Sequence, residues 1–159
     1  ADTGTASATW MGLLAALPML LLSTFVASLA EDILTRGFWY RAADIRWRGG
    51  VVFVLASSVI YVLNHIYRLG NGPVEWLVLF CFGVAYATAL WRSGSLWVAL
   101  GLHWGWNLGN GLVDAWLPAS IVDAHAASGL SIAAHLLIAA GLLAIPRSAA
   151  SCPGSRLTP

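Results

Sequence analysis

Charge is what this chain has least of. Only 9% of its 159 residues are Asp, Glu, Lys or Arg, against 59% hydrophobic, and mean hydropathy is +0.77. A soluble domain carries about 25% charged residues. This chain cannot cover a water-facing surface, so a polytopic membrane protein is expected. Lysine is absent, and all eight positive charges are arginines. A net charge of +1 offers no footprint for nucleic acid. Cysteine is scarce too. Cys81 lies in an apolar run and Cys152 in a polar tail, which gives neither a disulfide framework nor a metal-ligand spacing. Neither a repeat nor a soluble domain is visible. Residues 1–9 are small and polar, without the basic start of a signal peptide and without an initiator Met. Further spans upstream are therefore expected.

What is present is a series of apolar runs. A hydrocarbon core about 30 Å thick needs roughly 20 apolar residues per helix. Five spans are expected, at about 10–31, 50–67, 75–91, 95–113 and 129–145. Trp10, Trp39, Tyr40, Trp47, Tyr67, Trp76, Trp91, Trp97 and Trp116 mark their ends, as aromatic belts do. The segments Arg68–Val74 and Arg92–Ser95 read as turns. Residues 38–49 read as an interfacial helix or an extension of the first span. Residues 146–159 read as a disordered polar tail after a membrane domain over 1–145. With the N-terminus outside, Arg41, Arg46, Arg48, Arg92, Arg147 and Arg156 fall inside and only Arg68 falls outside. That distribution fits the positive-inside rule.

The few polar residues are patterned. At about 100° per residue, Thr24, Ser28, Glu31 and Thr35 share one helix face. Ser58, Tyr61 and His65 share another, and His103, Asn107, Asn110 and Asp114 a third. Small polar residues alone can simply join helices. An acid and two histidines suit a shared water-filled cavity better than lipid. Asp32 and Arg36, spaced i and i+4 with the acid first, are expected to form a helical ion pair. Glu31 is turned away from that pair and left free for chemistry. Gly101, Gly105 and Gly109 form a small-residue row expected to pack closely against a neighbouring helix. His125, in a loop, and His135, in the last span, lack polar companions at helical spacing and are read as structural.

Glu, His, His and Asn on three helices support two chemistries. One is general-base hydrolysis: Glu31 takes a proton from water, a histidine orients the water, and the remaining His and Asn donate to the developing oxyanion. The other is a zinc site built from Glu31, His65 and His103. No His-Glu-x-x-His motif occurs and Asn is a poor zinc ligand, so the version without a cofactor is favoured. No Ser or Cys has the neighbours that a covalent nucleophile needs.

Three motifs occur in order. Glu31-Asp32-x-x-x-Arg36 resembles the Glu-Glu-x-x-x-Arg motif of the CAAX protease and bacteriocin-processing (CPBP) intramembrane proteases, relatives of the Ras-converting CAAX endopeptidase. Tyr61-x-x-x-His65 is similar to their Phe-x-x-x-His, and His103-x-x-x-Asn107 to their His-x-x-x-Asn/Asp. The resemblance covers about 12–112, the four-helix catalytic core of that family. It implies that Glu31 and His65 activate the water and that His103 and Asn107 stabilise the oxyanion, with Asp32, Arg36 and Tyr61 supporting. Asp32 replaces a Glu, which puts a direct catalytic part for it in doubt. Tyr61 replaces Phe and adds a hydroxyl that needs a partner when buried.

The expectation is an all-α transmembrane bundle acting as an intramembrane endopeptidase on a peptide or protein at the membrane. A bacterial inner or plasma membrane fits the alanine-rich, arginine-rich, lysine-free composition. The alternatives are a non-enzymatic immunity or regulatory partner with the same fold, and a small transporter. One geometric tension remains. With turns near Gly49 and Ser93, Glu31 and His65 lie at similar depth, but His103 lies ~9–12 Å shallower at 1.5 Å per residue.

Overall fold

The computed structural model describes residues 4–42, 50–116 and 123–146. The described residues are helical throughout, with short connections. α1 (Gly4–Asp32) continues through a π-helical turn, Ile33–Gly37, into α2 (Phe38–Ala42). α3 (Gly50–Asn64) is followed by a 3₁₀ segment, Ile66–Asn71. Then come α4 (Pro73–Ser93), α5 (Leu96–Trp116) and α6 (Ala124–Ala144). The expected positions Arg46, Trp47, Arg48, Arg147, Cys152 and Arg156, and almost all of the expected tail, lie outside the described residues.

Each expected span corresponds to a helix. Three are long and apolar enough to cross a membrane by length and composition: Leu14–Ala42, Pro73–Ser93 and Ala124–Ala144. α3 is apolar but only 15 residues long. α5 has the length, but His103, Asn107, Asn110 and Asp114 lower its hydropathy. Trp39, Tyr67, Trp76, Trp97 and Trp116 are exposed near helix ends, where an aromatic belt would sit. The chain forms an all-helical, integral membrane bundle.

α4 is the central helix. It packs on α3, α5 and α6, while α1 packs on α5 and the π turn on α3. About half of α4's apolar window is buried (56%), against 6% for the first long helix and 11% for α6. The reason lies in its small residues. In lipid no hydrophobic force pulls helices together, so close backbone approach supplies the contact energy. Gly83, Ala85, Ala87, Thr88 and Ala89 provide it. A Cβ on Gly83 would lie 2.7 Å from the Cα of Ser58, so α3 can sit this close only against glycine. Below this level Phe53, Val54, Leu90 and Ala99 form an apolar core. Gly94, left-handed at φ 67°, ends α4, and its N–H bonds Leu90 O at 2.7 Å.

Of the two readings of 38–49, the extension of the first span holds over the described residues: a π turn, Ile33–Gly37, carries the helix on to Ala42. Two expectations are corrected. In the last helix, His125 lies in the first turn of α6 and not in a loop. Asp123 caps that turn by accepting from the backbone N–H of His125 and Ala126. Finally, a Cβ on Gly101, Gly105 or Gly109 would meet no described atom within 4 Å beyond the helix's own backbone. α5 meets α1 through its other face instead, where Trp104 and Asn107 hydrogen-bond to Thr24 and Ser28.

Candidate active site

The site begins at the π turn. The Phe38 N–H bonds Ile33 O, five residues back, which widens the helix. Thr35 Oγ donates to Glu31 O at 2.7 Å, and Ser57 Oγ on α3 donates to Thr35 O at 3.0 Å. Thr35 and Arg36, consecutive in this turn, are both fully buried.

Arg36 Nη1 donates to Asp32 Oδ1 at 2.6 Å, with both side chains at 0% exposure. The expected ion pair is therefore present and dry. Among the described residues no acceptor meets Arg36 Nε or Nη2. The guanidinium lies instead against two rings, 5.3 Å from the centre of Tyr61 and 5.1 Å from that of Tyr86.

Asp32 has a second partner that helical spacing could not show. The same Oδ1 lies 2.8 Å from His103 Nδ1 on α5. A carboxylate accepts here, so His103 carries its proton on Nδ1. His65 is held in a similar way: its Nδ1–H donates to Tyr61 O, one turn back, at 2.9 Å. Both imidazoles are therefore pinned through Nδ1, and both aim Nε2 at Glu31. Glu31 Oε2 is 3.6 Å from His65 Nε2 and 3.6 Å from His103 Nε2. The depth difference expected for His103 is absent, since Glu31 Oε2 reaches both Nε2 atoms at the same 3.6 Å.

Tyr61 is buried, and its hydroxyl finds its partner at His103 Nε2, 3.4 Å away. Asn107 lies one turn along α5 from His103, and its Nδ2 donates to Ser28 Oγ at 3.0 Å. Asn110 and Asp114 complete the sequence stripe but are exposed; Asn110 merely bonds Trp106 O. Glu31 keeps 25% exposure, whereas His65 and His103 are buried. The acid is thus the exposed part of the cluster. Among the described residues no group of three His, Cys, Asp or Glu side chains is arranged to hold a metal ion. A cavity of about 330 Å³, lined by Ile33, Gly37, Phe38, Arg41 and Leu96, lies at the far end of the π turn and includes none of the expected site residues.

Two contributors escaped the sequence reading. Tyr86 on α4 stacks on His103, with ring centres 4.7 Å apart and planes at 22°. His135 on α6 bonds Tyr86. An aromatic in an apolar helix carries no mark that tells core from lipid; on the face of His135 the sequence does offer Ser128 and Ser131, at helical spacing, as a faint polar signal.

A family model described as Type II CAAX prenyl endopeptidase Rce1-like matches residues 13–109. A search of curated proteins and a search of solved structures each returned no match. The matched stretch is more than half of the chain and contains all three motifs, from Glu31 to Asn107. The chain belongs to the Rce1-like family of type II CAAX prenyl endopeptidases.

Proposed function

We propose that this intramembrane endopeptidase hydrolyses its peptide bond with a water activated by Glu31 and His65, and holds the resulting oxyanion with His103 and Asn107. The convergence of Glu31 Oε2 and two Nε2 atoms, each 3.6 Å away, carries the reading. These distances exceed a direct hydrogen bond, and a reacting water beside the pair, off the line that joins them, reaches both groups. With Nδ1–H committed to Tyr61 O, neutral His65 offers a lone pair at Nε2. A water donating one hydrogen to Glu31 and one to His65 turns its own lone pair toward a carbonyl carbon. Glu31 takes the proton as the C–O bond forms and returns it to the departing amine.

For His103 to donate from Nε2 it must carry both protons. Asp32, 2.8 Å from Nδ1, is placed to hold that cation. Glu31 and Asp32 then balance Arg36 and His103, so the cluster is neutral as a whole, which is the tolerable arrangement at membrane depth. Asn107 has one amide hydrogen in the Ser28 bond and a second for the oxyanion. Asp32 thus supports the site by orienting His103 as well as by pairing Arg36.

The substrate is a peptide or protein segment at the membrane surface, and the setting proposed is a bacterial inner or plasma membrane. The test uses purified protein in detergent and a peptide panel in which each sequence is supplied with and without a prenyl group. Wild type cleaves, while Glu31→Gln and His65→Ala do not. Cleavage that survives both substitutions rejects the mechanism. Absence of cleavage by wild type, with a biological effect retained in both variants, supports a non-enzymatic partner role. A parallel series with a chelator separates water activated by Glu31 alone from a zinc site on Glu31, His65 and His103; loss of cleavage on chelation and recovery on adding zinc would establish the metal.

A further inference from the structure

His135 lies on α6, beyond residues 13–109, and the mechanism above does not use it. It is nevertheless fully buried. Its Nδ1 is 2.8 Å from Ser131 O, one turn back on α6. A carbonyl only accepts, so Nδ1 carries the proton, and Nε2 of the neutral ring is an acceptor. The Tyr86 hydroxyl, 2.9 Å from Nε2, therefore donates to it. The imidazole itself is held flat against Phe82, with ring centres 3.6 Å apart and planes at 20°, and edge-on to Trp106 at 4.5 Å. It is a rigid anchor.

What it anchors is the floor of the site. The Tyr86 ring stacks on His103 and receives the Arg36 guanidinium. Among the described contacts, His135 is the one hydrogen-bond partner of the Tyr86 hydroxyl. A chain of direct contacts therefore runs from Ser131 through His135 and Tyr86 to His103, whose Nε2 faces Glu31.

We propose that His135 is a positioning residue for the hydrolysis: through the Tyr86 hydroxyl it fixes the ring against which His103 lies, and so the aim of His103 Nε2 at the reacting atoms. This rests on the reading of His103 as part of the active site. It also gives α6 a part in a site that otherwise involves only α1 and the π turn, α3, α4 and α5. A residue that merely fills space at this position would tolerate any side chain of similar bulk. A positioning residue requires an acceptor where Nε2 now stands.

The test compares His135→Leu, His135→Gln, Tyr86→Phe and the double variant His135→Leu/Tyr86→Phe, in full-length protein labelled on its histidine rings. Only four histidines are present, so their ring resonances in detergent can be assigned by replacement. The His103 resonances are expected to move in His135→Leu and in Tyr86→Phe, and little further in the double variant. They should return toward wild type in His135→Gln, which restores an acceptor, while those of His125 stay fixed throughout. In the peptide assay, His135→Leu and Tyr86→Phe lower kcat about tenfold at unchanged KM, as a small misplacement of a reacting group does. His103 resonances that ignore both single substitutions overturn the proposal, and so do kcat losses that add in the double variant. Should His135→Leu fail to fold, Tyr86→Phe decides, since it deletes the same bond and keeps the ring. The spectra need no turnover. A wild type that cleaves nothing counts against the proteolytic reading, whereas an unmoved His103 counts against the role of His135.

Discussion

The polar centre has two halves that differ in access to water. Asp32, Arg36, Tyr86, His103 and His135 are buried to within 1% and joined by direct contacts. Glu31, though next to Asp32 in the chain, is a quarter exposed and stands 3.6 Å from His65 and from His103. Asn107 is likewise only partly buried. The dry half consists of groups whose partners are already in place, which suits holding a geometry. The open half contains groups with spare hydrogen-bonding capacity aimed at a reachable space, which suits chemistry. Adjacent acids thus meet different surroundings because a single helical step turns them apart, and the proposed mechanism assigns them different tasks.

That contrast is most sharply tested at its two acids. Glu31→Gln removes the base without a large change of shape, and cleavage should fall by about 10²–10⁴-fold. The melting temperature in detergent should stay near wild type, because Glu31 makes no short side-chain bond among the described residues. A large loss of stability here would show that Glu31 belongs to the dry half. Asp32→Ala should do the opposite. It strands Arg36 without a counter-ion at 0% exposure, and removing one partner of a buried pair costs about 3–5 kcal/mol. Thermal or denaturant unfolding would register that loss. A stable Asp32→Ala variant would mean that the rings of Tyr61 and Tyr86 suffice to hold Arg36.

A smaller effect is expected where the halves meet. Ser28→Ala deletes the acceptor for Asn107 Nδ2, a neutral hydrogen bond contributing about 0.5–1.5 kcal/mol. Cleavage should fall several-fold with KM little changed; kinetics of the purified variant would check this, and unaltered kcat would remove Asn107 from the oxyanion site. The smallest effect belongs to the other face of α5. A Cβ on Gly105 would meet no described atom beyond its own helix backbone, so Gly105→Ala should cost nothing and raise the unfolding free energy by at most about 1 kcal/mol, the helix-propensity difference. A marked loss, read alongside the oligomeric state in detergent, would reveal a helix covering that face in the membrane.

Much of the centre was visible along the chain, and each part for a stated reason. Charge in an apolar chain is costly, so Glu31, Asp32 and Arg36 stood out at once. Helical spacing placed Tyr61 with His65 and His103 with Asn107, and it paired Asp32 with Arg36 as observed. The same spacing overreached on α5. It put Asn110 and Asp114 in the stripe that holds His103, although both are exposed. It also assigned tight packing to a glycine row that meets no described neighbour. Periodicity reports which residues share a face, not how much of that face a neighbour covers.

The chain's own chemistry determined its solvent, its helices and its reactive groups. Fifty-nine per cent hydrophobic residues with 9% charge leave only a membrane as solvent, and a membrane admits the backbone of such runs only as helix. Which way each helix is rotated was decided by tertiary structure alone. In water an amphipathic face turns a helix inward, but lipid is as apolar as the bundle interior, so composition gives little torque. The rotation comes from specific contacts between helices: Ser58 against Gly83, Ser57 on Thr35 O, Asn107 on Ser28, and His103 on Asp32. Those contacts join residues as far as 79 positions apart in sequence, which is why Tyr86 and His135 enter the site only when the bundle is assembled.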